Sequence, residues 1–271
     1  MHLLSFVGLI TLASLCCLGA ARDKSEFDFI LLTREWPFSF CSVTSCKHKE
    51  LLQKRFNIHG LWAESKDSPS KPPMFCNSTA FNESELGPLR DELQKSWMDL
   101  LNPKGSPLYF WREEFKKHGS CVATDPRFNT TFLYFKAALQ LNQKYNLSEM
   151  LQKGGVTPSS TPIDASKIRS ALQSAFGFKP MVRCAKTNGQ TFLYELRLCF
   201  AKDLSPNDCN EEPQPARPFT VWGVLEKTAA QLHQMLFGWS TPGSVWLPRR
   251  SNGTYECGDG ELVLLPDAAQ R

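Results

Sequence analysis

Apolar and polar positions fall into short blocks whose period changes along the chain. Residues 27–33 (Phe-Asp-Phe-Ile-Leu-Leu-Thr) are almost continuously apolar, as a buried first strand would be, and Trp36-Pro37 ends the run. Between 84 and 100, Leu86, Leu89, Leu93, Trp97 and Leu100 recur at helical spacing, with Pro88 near the start. The same period returns at 130–145 through Phe132, Phe135, Leu139 and Leu141. It returns again at 164–176, where Asp164 can cap, Ile168, Leu172 and Phe176 share a face, and Gly177 stops the helix. Residues 179–184 and 191–200 read as strands, the second alternating through Phe192, Tyr194, Leu196 and Leu198, and 261–265 reads as a last strand. Helices and strands mix without strict alternation, which predicts an α+β fold. Residues 66–75, rich in Ser, Pro and Lys, form a loop. The segment 221–248, with Trp222, Trp239 and Trp246, fits an added helix, a partner-facing patch or a poorly packed insertion, and its pattern does not choose among them.

The N-terminus changes the picture of where the chain resides. Residues 1–21 hold no Asp, Glu, Lys or Arg, and 3–18 are nearly all apolar or small. That is the length of a signal-peptide core and short for a membrane span, and Gly19-Ala20-Ala21 offers small residues for cleavage. We therefore read 1–21 as a secretory signal and 22–271 as a single domain, long enough to bury a real core. No later stretch is apolar enough to span a bilayer. Cys16 and Cys17 leave with the signal, so of ten cysteines eight remain: Cys41, Cys46, Cys76, Cys121, Cys184, Cys199, Cys209 and Cys257. An even count in an exported chain reads as disulfides. Spacing favours the local pairs Cys41–Cys46 and Cys199–Cys209 and leaves the others open, and the lack of any Cys-x-x-Cys argues against zinc. Sequons at Asn77, Asn82, Asn129, Asn146 and Asn252 agree with passage through the secretory pathway. The net charge of +4 permits a polyanionic partner without requiring one.

The candidate chemistry sits in two blocks. One is Phe56-Asn57-Ile58-His59-Gly60-Leu61-Trp62; the other runs from Phe110 through Trp111-Arg112-Glu113-Glu114-Phe115-Lys116-Lys117-His118-Gly119 to Cys121. The chain has only five histidines, and His2 lies in the leader, so few residues can exchange protons near neutral pH. The first block reads as a strand, with Phe56, Ile58 and Leu61 towards the core and His59 towards a cleft. Gly60 admits a close approach, and Trp62 offers a stacking surface. The second reads as a helix over 109–118 that Gly119 ends, with Trp111, Glu114, Phe115 and His118 on one face. On that face Glu114 would orient His118 and favour its charged form, while Lys117 would stabilise negative charge on a phosphorane. Glu113 and Lys117 fit an ordinary solvated i,i+4 pair, and His48 and His233 read as surface or structural residues. A Cys76–Cys121 bridge would draw the two blocks together.

Ile58-His59-Gly60-Leu61-Trp62 and Lys117-His118-Gly119-Ser120-Cys121 resemble the two active-site signatures of the ribonuclease T2 family, in the same order and separation. The resemblance runs from the first strand to Cys257. It implies an α+β fold with a central antiparallel sheet flanked by helices. It also implies the pairs Cys41–Cys46, Cys76–Cys121, Cys184–Cys257 and Cys199–Cys209. The activity implied is a metal- and cofactor-independent acid endoribonuclease of low base specificity, acting on single-stranded RNA as a monomer, secreted or in the lysosomal lumen. Its products carry 2′,3′-cyclic phosphates and then 3′-phosphates. Carried over by motif, His118 is the general base and His59 the general acid. Glu114 and Lys117 stabilise the pentacovalent phosphate and tune the histidines. Trp62 and Glu64 contact one base, and Phe110 the other. Three departures stand out. Ala63 replaces a common Pro. Glu113 stands where many members carry a third histidine contacting phosphate. The 209–257 stretch is longer than expected. The alternative is a catalytically weak or inactive glycoprotein of the same fold with a binding or signalling role.

Overall fold

Strand β1 (Phe29–Glu35) is an interior strand of the sheet and is buried along its whole length. It pairs antiparallel with β2 (Asn57–Glu64) on one side and with β5 (Gln190–Ala201) on the other. Beyond β5 lie β4 (Met181–Thr187) and then β7 (Thr254–Glu256), both antiparallel. Three short pairings complete the sheet: β6 (Pro206–Asn207) with the end of β5, β3 (Ser159–Asp164) with β8 (Leu262–Leu265), and β8 in parallel with β5 at Phe192. The computed structural model describes residues 26–66, 71–76, 78–209 and 253–268. The expected signal 1–21, the segment 221–248, His233, Asn77 and Asn252 lie outside the described residues.

Alternation along the strands divides the sheet into two unlike faces. Ile30 and Leu32 of β1, Ile58 and Leu61 of β2, and Leu196, Leu198 and Phe200 of β5 pack into the main core with Trp97, Trp111, Phe115 and Phe135. The other face carries a smaller cluster of Phe29, Leu31, Trp62, Met181 and Cys199. Along the same rows it continues into Thr33, Glu35, Glu195 and Arg197, all buried. One face holds the fold together and the other presents polar groups.

The helices are α1 (Pro37–Val43), α2 (Arg90–Ser96), α3 (Leu108–Glu114), α4 (Ser120–Val122), α5 (Thr131–Lys144), α6 (Leu147–Lys153) and α7 (Ala165–Phe176). Helices α5 and α7 lie where periodicity puts them. Thr130 accepts the Leu133 amide at the start of α5, Asp164 accepts the Ser166 amide at the start of α7, and Gly177 closes α7 at φ 85°. The single helix expected over 84–100 is instead a 3-10 segment, Glu83–Leu89, followed by the short α2. Pro88 has no amide to donate and restricts the residue before it, so an α-helix cannot run through. Four disulfides join the pairs that the resemblance implies. Asn82, Asn129 and Asn146 are exposed. Among the described residues no helix is long and apolar enough to cross a membrane.

Candidate active site

His59 reaches the polar face because β2 bulges there. Thr33 pairs with Gly60 and Arg34 with Ile58, so His59 is an extra residue opposite none. In a regular ladder His59 would take the core-facing position. The bulge gives that position to Ile58, which is fully buried in the core, and turns His59 over to the side of Gly60 and Trp62. Three hydrogen bonds brace the irregular stretch. Trp97 Nε1 donates to the His59 carbonyl at 2.9 Å, Trp111 Nε1 donates to the Trp97 carbonyl at 2.7 Å, and the Tyr134 hydroxyl donates to the Leu61 carbonyl at 2.9 Å. Buried aromatics thus fix the backbone that carries the imidazole.

The second block does not end at Gly119. Helix α3 passes into a π turn, Phe115–Gly119, whose next amide, Ser120, reaches back to Phe115, and the chain then continues as α4. Gly119 serves close packing instead of a stop: a Cβ there would lie 2.7 Å from Cδ2 of Phe115 and 3.1 Å from Cζ of Tyr134. The wider turn fans Glu114 and His118 apart, which corrects the expected pairing between them. Glu114 Oε2 accepts from Trp62 Nε1 at 3.0 Å, and its other oxygen lies 3.8 Å from His59 Nε2. His118 stacks on the Trp62 indole, with ring centroids 4.7 Å apart and planes 25° apart. The turn is stapled from outside by Cys76–Cys121, by the Phe75 amide on the Lys117 carbonyl at 2.8 Å, and by the Cys76 amide on Ser120 Oγ at 3.0 Å.

Trp62 therefore sits between the two histidines. Its ring meets His59 edge-on with centroids 5.0 Å apart, stacks on His118, and carries the Arg197 guanidinium 5.2 Å from its centroid. The ring is buried and its surfaces are occupied, so the expected stacking platform for a base is not free in this arrangement. Gly60 makes room for the chain's own groups, not for a ligand: a Cβ there would lie 2.6 Å from Glu114 Oε2 and 2.8 Å from Trp62 Cδ1. Phe110 is half-buried with its ring 6.2 Å from that of His59. Glu64 is buried at the end of β2. Glu113 is half-exposed on α3, and among the described residues it makes no ion pair with Lys117; the carboxylate acting on Lys117 is that of Glu114.

Three residues that the sequence reading passed over complete the site. Glu195 Oε1 lies 2.8 Å, and Glu35 Oε1 3.0 Å, from His59 Nδ1. Arg197 donates to the other oxygen of Glu195 from Nε at 3.1 Å and from Nη2 at 2.8 Å. Strand β5 signalled it, because Glu195 and Arg197 interrupt its apolar run at alternate positions, whereas Glu35 only closes β1 after Thr33 and Arg34. The electrostatic outcome is asymmetric. Burial disfavours charge on His59, but Glu35, Glu195 and Glu114 outweigh it, and its pKa lies well above the ordinary histidine range. Burial, with Lys117, His59 and Arg197 close by, pushes His118 well below that range. Glu35 and Glu114 are raised by burial, against the pull of His59, and Lys117 is lowered by burial against the pull of Glu114. Glu195, despite burial, is held low by Arg197 and His59.

Two imidazoles with opposite protonation preferences flank one indole on the polar face of an antiparallel sheet, an arrangement that holds the parts for acid–base chemistry. The model of the ribonuclease T2 family matches residues 27–209, and the chain belongs to that family of endoribonucleases. It is 31% identical over 192 residues to ribonuclease T2 of Sus scrofa, covering 69% of this chain and 90% of that protein. It is 29% identical over 218 residues to ribonuclease T2 of Danio rerio, covering 79% of this chain and 86% of that one. Among solved structures, human RNase T2 superposes with a TM-score of 0.66 at 22% identity, over 89% of this chain and all of that one. RNase MC1 from bitter gourd seeds superposes at 0.61 and 26% identity, over 68% and 95%.

Proposed function

We propose that the chain cleaves single-stranded RNA by transesterification, with the neutral His118 as base and the charged His59 as acid. His118 takes the proton of a 2′-hydroxyl, and the 2′-oxygen then bonds to phosphorus as the bond to the 5′-oxygen breaks. His59 protonates that leaving oxygen. The product is a 2′,3′-cyclic phosphate, and exchange of roles lets water open it to a 3′-phosphate. The observation that carries this reading is the opposite bias of the two imidazoles: at neutral pH each already holds the proton count its step requires. Lys117 supplies positive charge to the pentacovalent phosphate, and Glu114 sets the charge of His59 and the position of Trp62. Phe110, beside His59, offers a surface for the base on the leaving side, while Trp62 and Glu64 border the other base without a free indole face. No metal or cofactor enters, because the nucleophile belongs to the substrate. Ligand-bound relatives include an RNase MC1 mutant with 5′-GMP and RNase NT with 5′-AMP.

The mature protein acts as a monomer, glycosylated at Asn77, Asn82, Asn129, Asn146 and Asn252 after loss of residues 1–21, and secreted or held in the lysosomal lumen. Relatives named as both extracellular and intracellular ribonucleases are compatible with either destination. The test is cleavage of a defined single-stranded RNA with EDTA present, at pH about 5 and about 7, beside His118→Ala, with product ends identified by mass. Cyclic-phosphate ends that vanish in the variant support the mechanism. Intact RNA with a folded, disulfide-bonded wild type would overturn it.

A further inference from the structure

We propose that Glu195, braced by Arg197, and Glu35 are positioning residues that grip Nδ1 of His59 and leave Nε2 as the nitrogen that exchanges a proton with RNA. The inference rests on the reading of His59 as proton donor. Its basis is the disposition of charge around one ring. Glu195 Oε1 and Glu35 Oε1 both lie within hydrogen-bond distance of Nδ1, at 2.8 and 3.0 Å. Glu195, kept ionised by Arg197, can only accept, so the proton it shares with the ring resides on Nδ1. Nε2 has Glu114 Oε1 at 3.8 Å, too far to hold its proton firmly.

The two carboxylates are not equivalent. Glu195 uses one oxygen for His59 and the other for two donors of Arg197, in a strand position where Glu195 and Arg197 lie two residues apart on one face. Arg197 is itself fixed by lying over the Trp62 ring. This pairing balances the charge of Glu195 and makes it a rigid anchor. Glu35 sits opposite Glu195 in the ladder, and His59 is the cation within ion-pair distance of it. Glu35 therefore matches the charge of the imidazolium, while Glu195 sets its orientation. The main chain adds its own constraint, since Trp97 holds the His59 carbonyl. The groups that act on the ring are Glu35 from β1, Glu195 from β5, Glu114 from α3 and His118 from the π turn, while Arg197 acts on Glu195 and His118, and Lys117 on Glu114 and His118. Asp99, after α2, acts through Glu35.

The arrangement answers a requirement of the chemistry. An acid must present its proton to the leaving oxygen from a fixed direction, and a free imidazole would rotate or deprotonate in a buried site. Holding Nδ1 from behind prevents both.

The experiment is a ¹⁵N NMR titration of histidine-labelled protein with disulfides intact, for wild type, Glu35→Gln and Glu195→Gln. It is paired with kcat/KM against pH on a dinucleotide substrate. The wild type should show Nδ1 protonated throughout and charge lost from Nε2. Each variant should lose that charge at lower pH, by roughly one pH unit or more, a tenfold loss of the acid form above the limb. The basic limb of kcat/KM should follow, with KM little changed. A His59 titration that is the same in all three proteins would overturn the proposal. So would a bare Nδ1 in the wild type, or activity lost equally at every pH with the limb unmoved. Glu35→Gln leaves the Glu195–Arg197 pair intact, so it reports even if Glu195→Gln does not fold. The titration reads the clamp whether or not RNA is cut, so an inactive but folded wild type overturns the ribonuclease reading separately.

Discussion

Gly60→Ala adds one methyl group at the most crowded point of the site. The backbone there is not in a left-handed conformation, so alanine brings no strain of its own and the effect comes from contact alone. The new Cβ would fall 2.6 Å from Glu114 Oε2 and 2.8 Å from Trp62 Cδ1, and closer still to Trp62 Nε1. The indole must swing away, and with it go the 3.0 Å bond to Glu114 and the stack on His118. A hydrogen bond to a charged group is worth about 1.5–3 kcal/mol, and an aromatic pair about 0.5–1.5 kcal/mol beyond its area. The expected loss is thus about 2–4.5 kcal/mol, a large share of a domain's typical stability of about 5–15 kcal/mol. Displacing both histidines' neighbour by an ångström or so should lower kcat/KM on the order of a hundredfold. Urea unfolding followed by circular dichroism, with RNA cleavage on the same samples, measures both. Gly87→Ala is the control, since a Cβ there meets nothing within 4 Å. A Gly60→Ala protein with wild-type midpoint and wild-type cleavage would refute the argument.

Two further outcomes follow from the same geometry. On the proposed mechanism His118 acts neutral and is held low, while His59 acts charged and is held high, so kcat/KM should form a plateau spanning the ordinary histidine pKa of about 6.5, with limbs on either side. A narrow acid peak would contradict it. Stability carries matching signs: the contribution of His118 is present above its unfolded pKa and lost as pH falls through its folded one. That of His59 is full below its unfolded pKa and lost as pH rises through its folded one. Glu113→His removes a half-exposed carboxylate from α3 and, on the reading that this position faces the substrate phosphate, should lower KM for RNA. An unchanged KM would show that Glu113 does not face the substrate.

Much of this could be read in the chain, and the failures have physical causes. His59 and His118 stand in motifs, and α5 and α7 carry their own caps in Thr130, Asp164 and Gly177. The bulge was not read from the sequence, although Ile58 and Leu61 both facing the core three residues apart is a spacing that a regular strand does not allow. The π turn was not visible, since its extra residue leaves apolar spacing almost unchanged while sending Glu114 away from His118. Glu35, Glu195 and Arg197 were missed because strand pairing, not sequence proximity, brings them to His59. The signal for the last two was weak but real: Leu-Tyr-Glu-Leu-Arg-Leu places two charges on one face of a stretch, 192–201, that is otherwise apolar.

The bulge in β2 bears on how such a protein can change over generations. The ladder ties Gly60 to Thr33 and Ile58 to Arg34, and the spare residue between them is the histidine itself. Loss of that single codon would turn the irregular ladder into a regular one, with every other pairing and every core side chain kept. The apolar core would be left in place, while the imidazole between Glu35 and Glu195 disappeared. On the proposed mechanism, inheritance of the scaffold's apolar core and inheritance of the chemistry are therefore separable here by one small deletion.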